Sequence, residues 1–143
     1  MRVKMFLTLC LVASIALLAY IRFAPSDPAI WHIALDPRPA TLGAPSPDAV
    51  VTLPNSAYMD LPADSFAALK TIAAATPRTE ILTETPDHIT WITRSRLIGY
   101  PDYTTAQITA TGLTVYARQR FGNGDWGVNA ARLTAWRAAL NLP

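Results

Sequence analysis

The 143 residues contain a single cysteine, Cys10. No intrachain disulfide can form, so the fold must be held by packing alone. Histidine is almost as scarce, at two residues. His32 lies in a proline-rich stretch and His88 at the start of an apparent strand, with no cysteine or carboxylate pair at ligand spacing beside either. That argues against a metal site. No GxSxG elbow and no serine–lysine pair at helical spacing is present, which removes the usual signs of nucleophilic catalysis. Nothing in the chain implies a cofactor, and no reaction can be read from it. Charged residues make up only 15% of the chain and the mean hydropathy is +0.21, so part of the chain does not meet water.

That part is Met5 to Ile21, MFLTLCLVASIALLAYI, which carries no charge and follows Arg2 and Lys4. At about 1.5 Å per residue the run spans about 25 Å, and Arg22 and Phe23 extend it toward bilayer thickness. Its end, Tyr20-Ile21-Arg22-Phe23, lacks the small residues of a cleavage site, so the segment reads as an uncleaved signal anchor. Cys10 lacks the small residues and long apolar lead of an acylation site. The basic residues on the short side place the N-terminus in the cytoplasm and the remainder outside it. For a bacterium this means a single-pass protein of the inner membrane with a periplasmic C-terminal domain. The expected boundaries are a cytoplasmic tail over 1–4, the anchor over 5–23, an extended proline-rich segment over 24–57, and a compact domain over 58–143.

Without residues 1–23 the chain keeps nine of its twelve basic residues against ten acids. This near-neutral balance excludes nucleic acid as a partner, because phosphate binding requires a basic surplus. A polybasic run beside the anchor, the mark of a lipid-surface binder, is also missing.

Seven of the twelve prolines fall between Ala24 and Ser56, a density that predicts neither helix nor interior strand. Yet Ile30, Trp31, Ile33, Leu35, Val50, Val51 and Leu53 are too apolar for a solvated tether. Parts of the segment are expected to lie along the domain or the membrane. Beyond it, Asp60 or Asp64 is placed to cap a helix with Pro62 in its first turn, and Phe66, Leu69, Ile72 and Ala73 share one face before Pro77. Four strands follow over 79–85, 88–96, 103–110 and 113–120, then a helix starting near Asp125 or Asn129 that buries Leu133, Trp136 and Leu140. The fold class is α+β: helix, four-stranded antiparallel meander, helix. Trp91, Trp126 and Trp136 read as core.

Gly122, Gly124 and Gly127 spell GxGxxG between a strand and a helix. A dinucleotide site needs a further parallel strand and an acid about twenty residues on, whereas sixteen residues follow Gly127. Asp125 would also meet the pyrophosphate. A tight connection fits better, with glycines at positive φ, Asp125 capping the last helix and Trp126 plugging the junction.

Arginines form the other grouping. By strand parity Arg94, Arg96, Arg118 and Arg120 line one sheet face, with Tyr100, Tyr103 and Tyr116 near them and Arg132 on the last helix. Such a face suits a carboxylate or phosphate. Alternatively, it is a solvated surface paired internally with Glu80, Glu84, Asp102 or Asp125.

The segments TWITRSRLIGYPDYTTAQI (90–108) and LTVYARQRFGNGDWGVNAARLTAW (113–136) resemble the bacterial and plastid family called domain of unknown function 1499. Arg120, Gly122, Asp125, Gly127, Val128, Asn129 and Arg132 look like its closing signature, and Gly99 and Asp102 like its middle motif. The resemblance implies a small domain that is often tethered or exported, and implies no reaction. Two expectations follow: a membrane-anchored accessory module that docks on an envelope protein, which is the favoured one, or a domain that binds, or acts on, a small anion through its arginines.

Overall fold

A computed structural model describes residues 2–142. The first element, α1 (Arg2–Phe23), is long and apolar enough to cross a membrane by length and composition. Within it only Ile21 is buried. The helix projects from the remainder of the protein and joins it at its last turn.

Six strands form one sheet, β1 (Val51–Leu53), β2 (Ser56–Leu61), β3 (Thr79–Glu84), β4 (His88–Arg94), β5 (Pro101–Thr109) and β6 (Gly112–Gln119). Their spatial order is β1-β2-β6-β5-β4-β3, with every neighbouring pair antiparallel. The α+β class and the β3-to-β6 meander agree with expectation; the strand number does not. The additional pair is a hairpin whose two-residue turn is Pro54-Asn55, with Leu53 opposite Ser56. Proline suits such a turn, and the three-residue β1 is an edge strand, where a missing donor nearby costs little.

Asp60 lies within β2 instead of capping a helix, and α3 (Phe66–Ala75) starts only after a 3-10 turn over Ala63–Ser65. Helix α3 carries the chain from β2 to the opposite sheet edge, and α4 (Val128–Ala139) returns to the same face. Alternation in β2 puts Ala57, Met59 and Leu61 on that face, where they meet Leu113, Val115 and Ala117 of β6, Phe66 and Leu69 of α3, and Leu133 and Trp136 of α4. Trp91 stands edge-on to Trp136 at 5.6 Å. The Trp136 indole donates to Thr76 Oγ1 at 2.8 Å, fastening α4 to the end of α3. Trp126 breaks the expected pattern. It is 98% exposed at φ +50 and plugs nothing.

The proline-rich segment forms a third layer. It contains a four-residue helix, α2 (Pro28–Trp31), which the proline density had argued against. Pro28 occupies the first helical position, and Asp27 accepts the Ala29 amide at 2.9 Å. From there the chain crosses the sheet face opposite α3 and α4. Leu35 and Leu42 are buried against Tyr58 of β2 in a second small core. Arg38 reaches Asp60 through both carboxylate oxygens, at 2.8 and 3.0 Å. The ordered domain therefore begins near Ala24, well before Tyr58.

Candidate functional site

The face opposite the helices is polar by alternation. It carries Ser56, Tyr58 and Asp60 of β2, Thr114, Tyr116 and Arg118 of β6, Tyr103, Thr105 and Gln107 of β5, and His88, Thr90 and Ile92 of β4. Bare, it would offer a ligand two arginines and several hydroxyls. In the folded chain residues 24–44 lie across it as a strap. Trp31 stacks on Tyr103 with ring centroids 4.0 Å apart and planes 9° from parallel. His32 stacks on His88 at 3.7 Å and bonds Thr90 through Nδ1 at 2.9 Å. Gln107 accepts the Leu35 amide at 2.6 Å, and the Ser26 and Tyr103 hydroxyls lie 2.7 Å apart.

This strap takes the donors of Arg118 and Arg120. Arg118 donates Nη2 to the Trp31 carbonyl, and its guanidinium sits between the rings of Trp31 and Tyr116 at 5.4 and 5.5 Å. Its Nη1 is buried without a partner. Burial lowers its pKa against the opposing influence of Tyr116 and Tyr103, because an unpaired cation is poorly solvated there. Arg120 donates to the Pro25 carbonyl at 2.8 Å and to the Tyr103 hydroxyl at 3.1 Å. It also lies over Phe121 at 4.9 Å. Both arginines hold the protein's own backbone where a ligand carboxylate would otherwise sit.

The other named arginines lie elsewhere. Arg132 projects from α4 toward the helix-side face and pairs with Asp102 of β5 at 3.1 Å, while also donating Nη1 to Asn129 Oδ1 at 2.8 Å. Burial raises the Asp102 pKa; Arg132 opposes the rise, and Asp125 adds to it. Asp125 closes the β6–α4 connection. Its two oxygens accept the amides of Gly127 at 3.0 Å and Asn129 at 3.1 Å, so it bonds the first turn of α4 from two residues before the cap position, which Gly127 fills. Gly127, at φ +77, takes the left-handed angle that lets the chain turn into that cap. The signature residues Asp102, Asp125, Asn129 and Arg132 thus form one structural lock between sheet and helix.

Arg94 ends β4 and Arg96 lies in the following loop. Arg94 donates to the carbonyl of Arg22, at the end of α1, at 3.0 Å, and stands 3.7 Å from Glu80. Gly99 in the same loop has φ +84, and a Cβ there would come within 2.9 Å of Arg22 Nη1. Its hydrogen atom leaves room for the helix-end arginine. Arg22 and Arg78 were absent from the sequence-based set. They lie far from Arg94 along the chain, and only the β3–β4 pairing and the docking of α1 bring them to it. The loop after β4 exposes Leu97, at 89%. Among the described residues no three His, Cys, Asp or Glu side chains assemble as a metal would require.

The fold and site together define a class: an α+β domain with a strapped sheet face, carried on an N-terminal apolar helix. The chain belongs to the family described as protein of unknown function (DUF1499), whose model matches residues 25–140. That match takes in the strap as well as the sheet. No curated protein and no solved structure matches the chain.

Proposed function

We propose that the protein is a single-pass inner-membrane protein whose uncleaved helix holds a periplasmic accessory domain directly on the bilayer surface, where it docks on an envelope protein. One observation carries this reading: the end of α1 is built into the domain. Ile21 and Ala24 are 6% and 4% exposed. Arg94 bonds the Arg22 carbonyl, and Tyr20 packs edge-on against Phe121 at 6.0 Å. The strap then continues from Pro25 without a free tether, so the sheet end bearing Leu97 and Trp126 stands level with the last helical turn. Exposed large apolar side chains at that level suit an interface between headgroups and water. Arg118 and Arg120 serve the strap in this reading, which leaves the accessory role ahead of the small-anion role.

Intact mass and site-specific labelling test it together. The mature chain should retain its N-terminal helix. A cysteine placed at exposed Thr111 in a Cys10→Ser background should react with an impermeant maleimide once the outer membrane is permeabilised. A mature start near Ala24, or a cysteine labelled only after lysis of the inner membrane, would refute the topology. In-cell photo-crosslinking from Trp126 or Leu97 should then trap a defined envelope protein, and crosslinks to lipid alone would refute the docking role.

A further inference from the structure

Two adjoining cavities open where α1 meets the β3–β4 edge. The larger, about 540 Å³, has an apolar side formed by Phe23, Pro25, Ile81, Leu82 and Ile92. The smaller, about 300 Å³, is lined by Arg22, Arg78, Glu80, Arg94, Ser95 and Arg96. Arg22, Glu80 and Arg94 border both. Four guanidiniums therefore face one carboxylate. Glu80 is paired only with Arg94, at 3.7 Å, and no carboxylate pairs with Arg22, Arg78 or Arg96 among the described residues. Within a domain of nearly balanced charge, this is a local excess of cation assembled from three separate parts of the chain.

We infer that this double cavity binds the phosphate of an anionic phospholipid, with the arginines on the headgroup and the apolar side against the glycerol and upper acyl chain. The inference rests on the membrane-anchored reading, which sets the arginines at the depth of lipid phosphates. Guanidinium forks match phosphate oxygens in number and direction. The exposed Leu97, next to Arg96, adds an apolar contact with the interface beside the site. A bound headgroup would also fix Arg22 relative to Gly99, tying the lipid to the joint between helix and domain. The sequence shows no polybasic run because Arg22, Arg78 and Arg94 to Arg96 become neighbours only in the folded chain.

Native mass spectrometry of the full-length protein in detergent tests this, with phosphatidylglycerol, phosphatidylcholine of the same chains, and inorganic phosphate offered separately. The comparison variant is Arg78→Asn/Arg96→Gln, both at exposed positions; asparagine tolerates the left-handed backbone of Arg78, at φ +59. The wild type should retain phosphatidylglycerol in preference to phosphatidylcholine. The variant, with an unchanged melting temperature, should bind it roughly ten-fold or more weakly. Equal retention of both lipids, or equal retention by wild type and variant, would overturn the lipid site while the intact mass leaves the anchor standing. Displacement of the lipid by millimolar inorganic phosphate would assign the site to a free anion and overturn the lipid source. A mature chain beginning near Ala24 would overturn site and anchor together, since Arg22 would leave with the helix.

Discussion

Replacing Trp31 by alanine removes the centre of the strap. The ring lies flat on Tyr103 at 4.0 Å and is flanked by Arg118 and Arg120 at 5.4 and 5.6 Å. An aromatic pair of this kind contributes about 0.5–1.5 kcal/mol beyond area burial, and each partly exposed cation–π contact about 0.5–1 kcal/mol. Because the indole is half-buried, lost transfer energy adds about 1–2 kcal/mol. These contributions share atoms and do not add fully, so the expected loss is about 3 kcal/mol. A folded unit of about 120 residues shifts about 4 °C per kcal/mol, so the melting temperature of the full-length protein in detergent should fall by about 10 °C. Trp31→Phe keeps the stacking and should lose about half as much. Limited proteolysis should open first within residues 24–50 in the alanine variant. A shift under about 2 °C with unchanged cleavage there would show that the strap is not held by this stack.

The His32–His88 pair predicts acid sensitivity above the carboxylate range. Burial lowers both imidazoles from 6.5; the facing His32 adds to this at His88, against the backbone of Ile33 and the charge of Asp87. The unfolded chain therefore takes up these protons first, so their contribution is complete above pH 6.5 and is lost as pH falls from there toward the folded values. Melting temperature should decline across that window, and His32→Asn/His88→Gln should flatten the decline. Arg132→Met alone should cost about 3–5 kcal/mol, since it strands a mostly buried carboxylate at Asp102. The Asp102 pKa would rise further, so thermal melts should show the loss easing on acidification, and Asp102→Asn/Arg132→Met should recover most of the stability. Trp126→Asn should raise stability by about 0.5–1 kcal/mol in the same melts, because an exposed tryptophan at φ +50 adds strain and no packing.

The four strands of the meander were legible because alternation, the Pro86-Asp87 and Thr111-Gly112 turns and strand length all agree. The β1–β2 hairpin was hidden by ambiguous chemistry. Asp60 and Pro62 are helix-start residues by type, yet Asp60 is fixed in a strand by Arg38 and by Thr114 at 2.8 Å. Sequence showed the strap only as misplaced apolarity among prolines, since its hydrogen bonds go to residues such as Gln107 and Thr90, far along the chain. Strand parity placed Arg118 on the face later found covered, but no sequence rule indicates that a segment from the same chain covers it. Arg132 was grouped with the others by residue type and faces the opposite layer. Trp126 was assigned to the core by composition, whereas its left-handed backbone in the Gly124–Gly127 turn points it outward.

The pairing of β2 with β6 sets an order of events. Ser56 to Leu61 find their neighbours only at Leu113 to Arg118, so the first hairpin is synthesised long before the strand that seals it. Closing so long a loop is entropically slow. Until β6 arrives, the apolar edge of β2 and the underside of the strap have nothing to lie against. The apolar helix α1, made first, already precedes an unfinished domain at that stage. The nascent chain therefore passes through an interval with β2 uncovered, and its vulnerability to proteases and misassociation should be concentrated there.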